Sequence, residues 1–257
     1  MAQWRYGVED GIGWFSFERP EARNALTYEM YEGLRDVCRD VPTDGSVRAL
    51  VVTGSGGAFA AGTDMALFRS FATAEDAWTY EARMEAVFAA IERCPVPTIA
   101  AIDGACTGGG ATIAAACDLR LATGRLKFGV PIARTLGNGL STANLARLAR
   151  VLGPVRTRDI LLTARLIEAD EALAIGLVRE VVADADALVA RTRDLARQLA
   201  SHAPLTLRAT KEGLRRLEAA AATVDDRDLI AQCYTSADFK EGIDAFLAKR
   251  KPVWRGA

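Results

Sequence analysis

Two segments of the chain share the same order of elements: an apolar strand, a glycine-containing loop and a helix. They are VVTGSGGAFAAGTDMALF (residues 51–68) and IAAIDGACTGGGATIAAACD (residues 99–118). A loop that enters a helix presents unpaired backbone N–H groups, and the helix dipole adds partial positive charge there. Glycine lets such a backbone approach a ligand because no Cβ intervenes. Two N–H groups directed at one oxygen would form an oxyanion hole, but periodicity alone also permits tight turns or a phosphate cradle. No GxxxxGKS/T or GxGxxG pattern supports the cradle.

The rest of the chain predicts strands that alternate with helices, followed by helices alone. The predicted elements are a hairpin around Asp10-Gly11, helices at 27–39 and 73–93, and strands at 47–54, 98–103, 119–123, 127–130 and 176–182. Thr73 with Asp76 three residues later indicates a capping box at the start of the second helix. This order predicts an α/β core with a helical C-terminal extension that begins near His202–Pro204.

The overall composition excludes several classes of protein. The chain has 257 residues, with 32 basic against 33 acidic side chains, and this balance gives no footprint for nucleic acid or an anionic membrane. A single histidine, His202, makes a histidine-based metal site or a Ser-His-Asp triad improbable, so no metal is expected. Five cysteines without CxxC spacing, and no signal peptide, indicate reduced thiols in a cytoplasmic compartment. No apolar run is long enough to predict a membrane span.

Five motifs in order resemble those of the crotonase family, the enoyl-CoA hydratase/isomerase superfamily. They are RPEARNALT (19–27), AFAAGTDM (58–65), IDGACTGGG (102–110), ACDLRLAT (116–123) and SADFKEGIDAFLAKRKPVW (236–254). The resemblance implies an α/β spiral of ββα units in residues 1–202 and a C-terminal helical trimerisation region in residues 203–257. It also implies a coenzyme A thioester substrate without a tightly bound cofactor. The thioester oxygen would be held by the N–H groups of Thr63 and Gly109.

The two glutamates that hydratases of this family use are replaced in this sequence. The positions that match them hold Thr112, two residues beyond the glycine triplet, and Ile132, in FGVPIARTLGNG. Hydration needs a base and an acid, each worth about 10²–10⁴ in rate, and neither side chain supplies one. Arg134 and Asn138 follow in a loop that faces the acyl pocket in the family, so both are candidate site residues. Surface or backbone-satisfying roles are at least as consistent with the sequence.

Another candidate source of acid/base groups is the helix after the first glycine loop. Glu81 and Glu85 lie one turn apart on it, although neighbouring arginines favour a solvated charged face there. For coenzyme A itself, the resemblance implies contacts from Arg23, Ala25, Ala61 and Lys249.

The sequence thus favours an acyl-CoA enzyme of the enoyl-CoA hydratase/isomerase family that acts through a thioester enolate. Isomerisation, decarboxylation, thioester hydrolysis and a non-catalytic acyl-CoA-binding protein remain alternatives. A homotrimer or a dimer of trimers is expected, because family members bury the apolar surface of the C-terminal helices between subunits. The residues assigned to that surface are Leu205, Leu207, Leu214, Leu217, Phe239, Ile243 and Phe246.

Overall fold

The computed structural model describes residues 2–220 and 225–255 of the chain. The strands are β1 (Trp4–Glu9), β2 (Ile12–Phe17), β3 (Ala49–Gly54), β4 (Ala58–Ala60), β5 (Thr98–Ile102), β6 (Ala105–Thr107), β7 (Leu119–Thr123), β8 (Lys127–Gly129), β9 (Ile167–Glu168) and β10 (Glu180–Val182). The helices are α1 (Tyr28–Asp40), α2 (Ala74–Arg93), α3 (Gly109–Ala116), α4 (Ile132–Thr135), α5 (Thr142–Leu162), α6 (Ala169–Ala174), α7 (Ala185–Ala200), α8 (Pro204–Ala220), α9 (Arg227–Tyr234) and α10 (Ala237–Leu247). Two short 3-10 helices span Pro20–Ala22 and Met65–Phe68. No helix in the described part of the chain is long and apolar enough to cross a membrane.

The strands form two sheets, and the chain alternates between them. The larger sheet has the order β1-β2-β3-β5-β7-β10 and the smaller one the order β4-β6-β8-β9. Each repeat gives one strand to each sheet, in the pairs β3/β4, β5/β6 and β7/β8, and a helix then follows. All strand pairs between these repeats are parallel. This is a spiral of ββα units, the architecture expected from the sequence.

Local sequence signals set the ends of most elements. Asp10 and Gly11 both have positive φ and close a two-residue hairpin in which Glu9 faces Ile12, as expected for such a turn. Thr73 and Asp76 form the predicted capping box of α2. The strand predicted at residues 176–182 is shorter than expected, because the N–H groups of Leu177 and Val178 bond to the Ala172 carbonyl and continue the end of α6.

The central strands of the larger sheet are buried on both faces. One face packs on α7 through alternate residues of β2, β3, β5 and β7, and the other contributes to the main core with α1, α2 and α3. Strands covered on both sides are nearly continuous apolar runs, and Ala49 to Val52 accordingly are fully buried.

The C-terminal helices divide between the core and the surface. Phe239 and Ile243, which the sequence analysis assigned to a surface between subunits, are instead buried in the main core of the chain. That assignment was wrong for these two residues, because α10 packs on the 3-10 helix Met65–Phe68. Leu205, Leu214, Leu217 and Phe246 are exposed, and Leu207 is half-buried. The division of the chain at residue 202 stays a prediction.

Candidate active site

The two glycine loops lie against each other because they leave neighbouring parallel strands. β4 pairs with β6 from Ala58 opposite Ala105, so both carboxyl ends lie at the same edge of the smaller sheet. A Cβ on Gly110 would lie 2.3 Å from the carbonyl oxygen of Ala60, and a Cβ on Gly108 would lie 3.3 Å from Gly62 Cα. Gly108 also has a φ of 54° and a ψ of −123°, a conformation restricted to glycine. The glycines therefore allow one loop backbone to contact the other.

Thr63 and Gly109 each present a backbone N–H without an acceptor among the described residues. The Leu26 N–H donates to the Gly62 carbonyl, and the Leu26 carbonyl accepts from the Asp64 N–H. The N–H of Thr63, which lies between Gly62 and Asp64, therefore points away from Leu26. Gly109 is the first residue of α3, where a helical N–H has no intrahelical acceptor. Both residues line one cavity, in which their N–H groups are available to a ligand.

The cavity has a volume of about 710 Å³ and a largely apolar interior. This is within the range of small-molecule sites. Its apolar lining includes Phe68, Met84, Phe88, Val130, Ile132, Leu136 and Leu140. Such a surface fits the hydrocarbon part of a ligand whose polar group lies at the two loops.

Basic side chains lie at the exposed rim of the cavity. Arg23 and Lys249 line it, are exposed, and have no ion-pair partner within residues 2–220 and 225–255. Arg19, by contrast, is paired with Asp64 and donates to the Ala25 carbonyl at 3.0 Å. Ala25 and Ala61 also line the cavity, and the Ala61 N–H is bonded to the Arg23 carbonyl at 3.0 Å. The four residues assigned to coenzyme A by the sequence thus all line the same cavity.

Thr112 and Ile132, the two positions that the sequence resemblance matched to the family's glutamates, both line the cavity, and neither carries an acid. Thr112 is buried, and its hydroxyl donates to the Gly108 carbonyl at 3.3 Å within α3. Ile132 begins α4 and is half-buried. Because the Thr112 proton is engaged in the helix, the loops supply neutral donors and no titratable group from these positions.

A carboxyl group enters the same cavity from α2. Glu81 lines the cavity, and its Oε1 accepts from the Tyr234 hydroxyl at 2.8 Å. Its other oxygen, Oε2, is buried and has no hydrogen-bond partner among the described residues. Burial raises the pKa of Glu81 to about 7, against the opposing effect of Tyr234 and Ser141. The interpretation of Glu81 as part of a solvated charged face was therefore wrong.

Glu85, one turn further along α2, has a different environment. Its two oxygens accept from the guanidinium of Arg147, each at 2.6 Å, and Glu85 does not line the cavity. Arg147 is itself buried and also bonds to Glu92. Glu85 is thus part of an ion-pair network that joins α2 to α5, and its carboxylate is already neutralised.

Comparison with known proteins identifies the family. The model of the family described as enoyl-CoA hydratase/isomerase matches residues 7–257. The chain belongs to the enoyl-CoA hydratase/isomerase family. Among curated relatives, it is similar to a crotonyl-CoA hydratase of Syntrophomonas wolfei, at 35% identity over 95% of this chain and 94% of the relative. It is also similar to a short-chain-enoyl-CoA hydratase of Clostridium acetobutylicum, at 30% identity over 95% and 94% of the two chains.

Solved structures confirm the expected fold of this enoyl-CoA hydratase/isomerase family member. One, described as an enoyl-CoA hydratase/carnithine racemase from Magnetospirillum magneticum, has a TM-score of 0.81 at 36% identity and covers 100% of this chain and 97% of its own. A methylmalonyl-CoA decarboxylase in complex with 2-nitronate-propionyl-CoA has a TM-score of 0.90 at 26% identity, with 99% of both chains covered. The resemblance drawn from the five sequence motifs is confirmed.

The two candidates in the loop after β8 differ in their placement in this family member. Arg134 is exposed and is not among the cavity-lining residues, so the structure does not bring it together with the other candidates. Asn138 lines the cavity and its Nδ2 donates to the Tyr234 hydroxyl at 3.0 Å. Asn138 thus donates a hydrogen bond to the Tyr234 hydroxyl, which in turn donates one to Glu81.

Sequence reasoning missed three tyrosines that line the cavity, Tyr31, Tyr80 and Tyr234. The Thr63 hydroxyl is hydrogen-bonded to the Tyr31 hydroxyl at 2.8 Å and to the Tyr80 hydroxyl at 2.9 Å. Burial raises the pKa of both tyrosines, so their hydroxyls stay protonated. A Cβ on Gly109 would lie 1.8 Å from the Tyr31 oxygen, which places that hydroxyl between the two loop residues.

One sequence signal could have pointed to Glu81. Residues 77, 81, 84 and 88 follow helical spacing, and Ala77, Met84 and Phe88 are buried. Glu81 therefore falls on the apolar stripe of its helix, where an acidic residue is unusual. The Tyr234 contact had no such local signal, because it joins residues 153 positions apart.

Proposed function

We propose that this family member acts on coenzyme A thioesters and stabilises a thioester enolate between the N–H groups of Thr63 and Gly109. The observation that carries the proposal is the pair of unpaired N–H groups from two touching loops at one cavity. The names of the curated relatives, which include a crotonyl-CoA hydratase and a short-chain-enoyl-CoA hydratase, support a thioester substrate. Each such donor is worth roughly 10²–10³ in rate where negative charge develops on oxygen.

The rim of the cavity supports coenzyme A as part of the substrate. Arg23 and Lys249 are exposed cations suited to the phosphates of the nucleotide. The apolar interior suits the acyl chain, so the thioester carbonyl would lie between rim and interior, where the two loops meet. Coenzyme A would then enter and leave with the substrate, without a tightly bound cofactor.

The site favours reactions that move a proton over the addition of water. Thr112 and Ile132 stand where the family's hydratases carry their two glutamates, and neither can activate water or protonate carbon. Double-bond isomerisation needs only removal and return of a proton beside an enolate. We therefore propose proton transfer at carbon as the reaction class and expect hydration to be slow.

Decarboxylation is a second candidate, favoured by the superposition on methylmalonyl-CoA decarboxylase. Loss of carbon dioxide from a malonyl-type thioester leaves the same enolate, which the two loop donors would stabilise. Product analysis after incubation with methylmalonyl-CoA tests it, and unchanged methylmalonyl-CoA would reject it.

The oxyanion hole is tested with cinnamoyl-CoA, whose absorption moves to longer wavelength when its carbonyl is polarised by hydrogen bonds. We use the Tyr31→Leu background, because the Tyr31 ring would clash with any Cβ at residue 109. In that background, Gly109→Pro removes the N–H and Gly109→Ala retains it. We expect the shift to survive in the alanine variant and to be lost in the proline variant. Equal shifts in two folded variants would contradict the role of Gly109.

The oligomeric state is a separate part of the proposal. α8 exposes Leu205, Leu214 and Leu217 on one chain, which supports burial of this helix between subunits. We propose a homotrimer or a dimer of trimers. A monomer by light scattering at micromolar concentration would reject it.

A further inference from the structure

We propose that Glu81 is the catalytic residue that removes and returns the proton at the carbon beside the thioester carbonyl, with Tyr234 as its positioning residue. The inference rests on the proposed function, since it needs an enolate held by the two loops. It assigns the acid/base role to α2, whereas Thr112 lies on α3 and Ile132 on α4.

The geometry that carries the proposal is an unsatisfied carboxyl oxygen at the cavity. One oxygen of Glu81 is fixed by the Tyr234 hydroxyl at 2.8 Å, and Asn138 donates to the same hydroxyl at 3.0 Å. The other oxygen is buried and makes no hydrogen bond of normal geometry among the described residues, although the Ser141 side chain lies close enough to lower the pKa of the carboxyl. A buried carboxyl oxygen normally has a hydrogen-bond partner, so a free one in a ligand-sized cavity indicates a group that waits for the ligand.

The surroundings of Glu81 keep it able to exchange a proton near neutral pH. The titratable groups that face it are Tyr80 and Glu85 on its own helix, Tyr31 from α1, and Asp226 and Tyr234 from the start and end of α9. None of them is a cation, and the Glu85 carboxylate is held by Arg147. Burial accordingly raises the pKa of Glu81 to about 7, where acid and base forms are both populated.

The removal and return of the Cα proton needs no co-reactant other than solvent. The Glu81 carboxylate takes the proton from Cα, and the C–H electron pair forms the bond between Cα and the carbonyl carbon. The carbonyl electrons move to the oxygen, which becomes the enolate held by Thr63 and Gly109. In D₂O the Glu81 carboxyl exchanges its proton for deuterium and returns it to Cα, so a saturated acyl-CoA gains deuterium without other change.

The test is deuterium incorporation into butyryl-CoA in D₂O, followed by proton NMR. We expect wild-type protein to exchange the α-protons, and Glu81→Gln to lose about 10²–10⁴ of that rate. Glu85→Gln is the matched control, one turn away on the same helix and outside the cavity, and its rate should stay within about threefold of wild type. Circular dichroism of wild-type protein and both variants verifies the fold.

The dependence on pH separates catalysis from a structural role. Since the base form does the work, the wild-type rate should rise with pH and level off above a midpoint near 7. Tyr234 stabilises the carboxylate, so Tyr234→Phe should move that midpoint to higher pH while the protein stays folded. An unchanged midpoint in Tyr234→Phe would overturn the positioning role.

Failure of this inference is distinguishable from failure of the proposed function. A cinnamoyl-CoA shift in wild-type protein, together with no exchange or with exchange that survives Glu81→Gln, would overturn the role of Glu81 and leave the oxyanion hole in place. Absence of the shift would overturn both. A shift preserved in Glu81→Gln, with exchange lost, supports both assignments.

Discussion

The cavity has two walls that differ in the chemistry they offer. The loop wall is formed by Thr63, Gly109, Thr112 and Ile132. It presents the backbone N–H groups of Thr63 and Gly109 and no side chain that titrates at an ordinary pH. The helix wall, Glu81 and Tyr234, presents a carboxyl group whose pKa is raised by burial to about 7. One wall can stabilise negative charge on an oxygen, and the other can accept or donate a proton.

The contrast shows that a cavity whose loop wall carries no acid can still have one, because Glu81 lines it from another element. Thr112 and Ile132 leave the loop wall neutral, yet a carboxyl reaches the same space from a different element. The same helix also shows what a structural carboxylate looks like, because both oxygens of Glu85 are bonded to Arg147. The feature that separates the two glutamates is the presence of a partner for each oxygen.

The rate of hydration should respond most strongly when two carboxylates are placed on the loop wall. Wild-type protein should hydrate crotonyl-CoA slowly, because the loop wall has neither a base to activate water nor an acid to protonate carbon. Thr112→Glu with Ile132→Glu should raise that rate by up to about 10⁴, provided that the two side chains act as in other family members. Thr112→Gln with Ile132→Gln is the isosteric control. Fast hydration by wild-type protein would mean that the helix wall already activates water.

A smaller effect concerns the rigidity of the loop wall. In Gly110→Ala the new Cβ would meet the Ala60 carbonyl oxygen at 2.3 Å, and neither backbone can give way easily. We expect a loss of about 3 kcal/mol or more in the free energy of unfolding by urea. Gly213→Ala, on exposed α8 with nothing within 4 Å, should instead gain about 0.5–1 kcal/mol. Equal effects of the two substitutions would show that the loops do not pack as described.

The smallest effect concerns stability at the helix wall. Because folding raises the pKa of Glu81 from an ordinary 4.5 to about 7, the folded chain holds a proton that the unfolded chain releases between these values. Stability that depends on Glu81 is thus lost as the pH rises through this window. In Glu81→Gln this loss is absent. The free energy of unfolding of the variant, measured relative to wild type, should therefore rise by about 2–3 kcal/mol from pH 5 to pH 8.

Urea unfolding at pH 5, 6, 7 and 8 measures this difference. Glu29→Gln, on an exposed carboxylate of α1, controls for the change of charge. A constant difference between Glu81→Gln and wild type across these pH values would show that Glu81 is not perturbed by burial.

The strands, glycine loops and helix starts of the loop wall could be predicted from the sequence because their determinants are local, whereas the choice of Thr63 and Gly109 within them came from the family resemblance and stays a prediction. Strand, glycine and helix start follow each other within about twenty residues, and the β4–β6 pairing needs only the repeated ββα order. The hairpin at Asp10-Gly11 and the capping box at Thr73 were predicted for the same reason. Their geometry is decided by neighbours in the chain.

The helix wall could not be predicted with the same certainty, because its environment is built by distant residues. Whether Glu81 is solvated or buried depends on α9, and Tyr234 joins it from the far end of the chain. Arg134 was a candidate only by its position in a loop, and the conformation of α4 leaves it exposed. Phe239 and Ile243 are apolar, but no local pattern indicates whether they face a neighbouring subunit or the core of their own chain.

The most direct test of this account is the titration of the Glu81 carboxyl itself. Protein with ¹³C-labelled glutamate carboxyl carbons is followed by NMR from pH 4 to pH 9, and Glu81 is assigned by the signal absent in Glu81→Gln. We predict one carboxyl that titrates near pH 7 and whose titration moves to higher pH in Tyr234→Phe. A Glu81 signal that titrates near 4.5 would contradict the division of the cavity into a neutral loop wall and a proton-transferring helix wall.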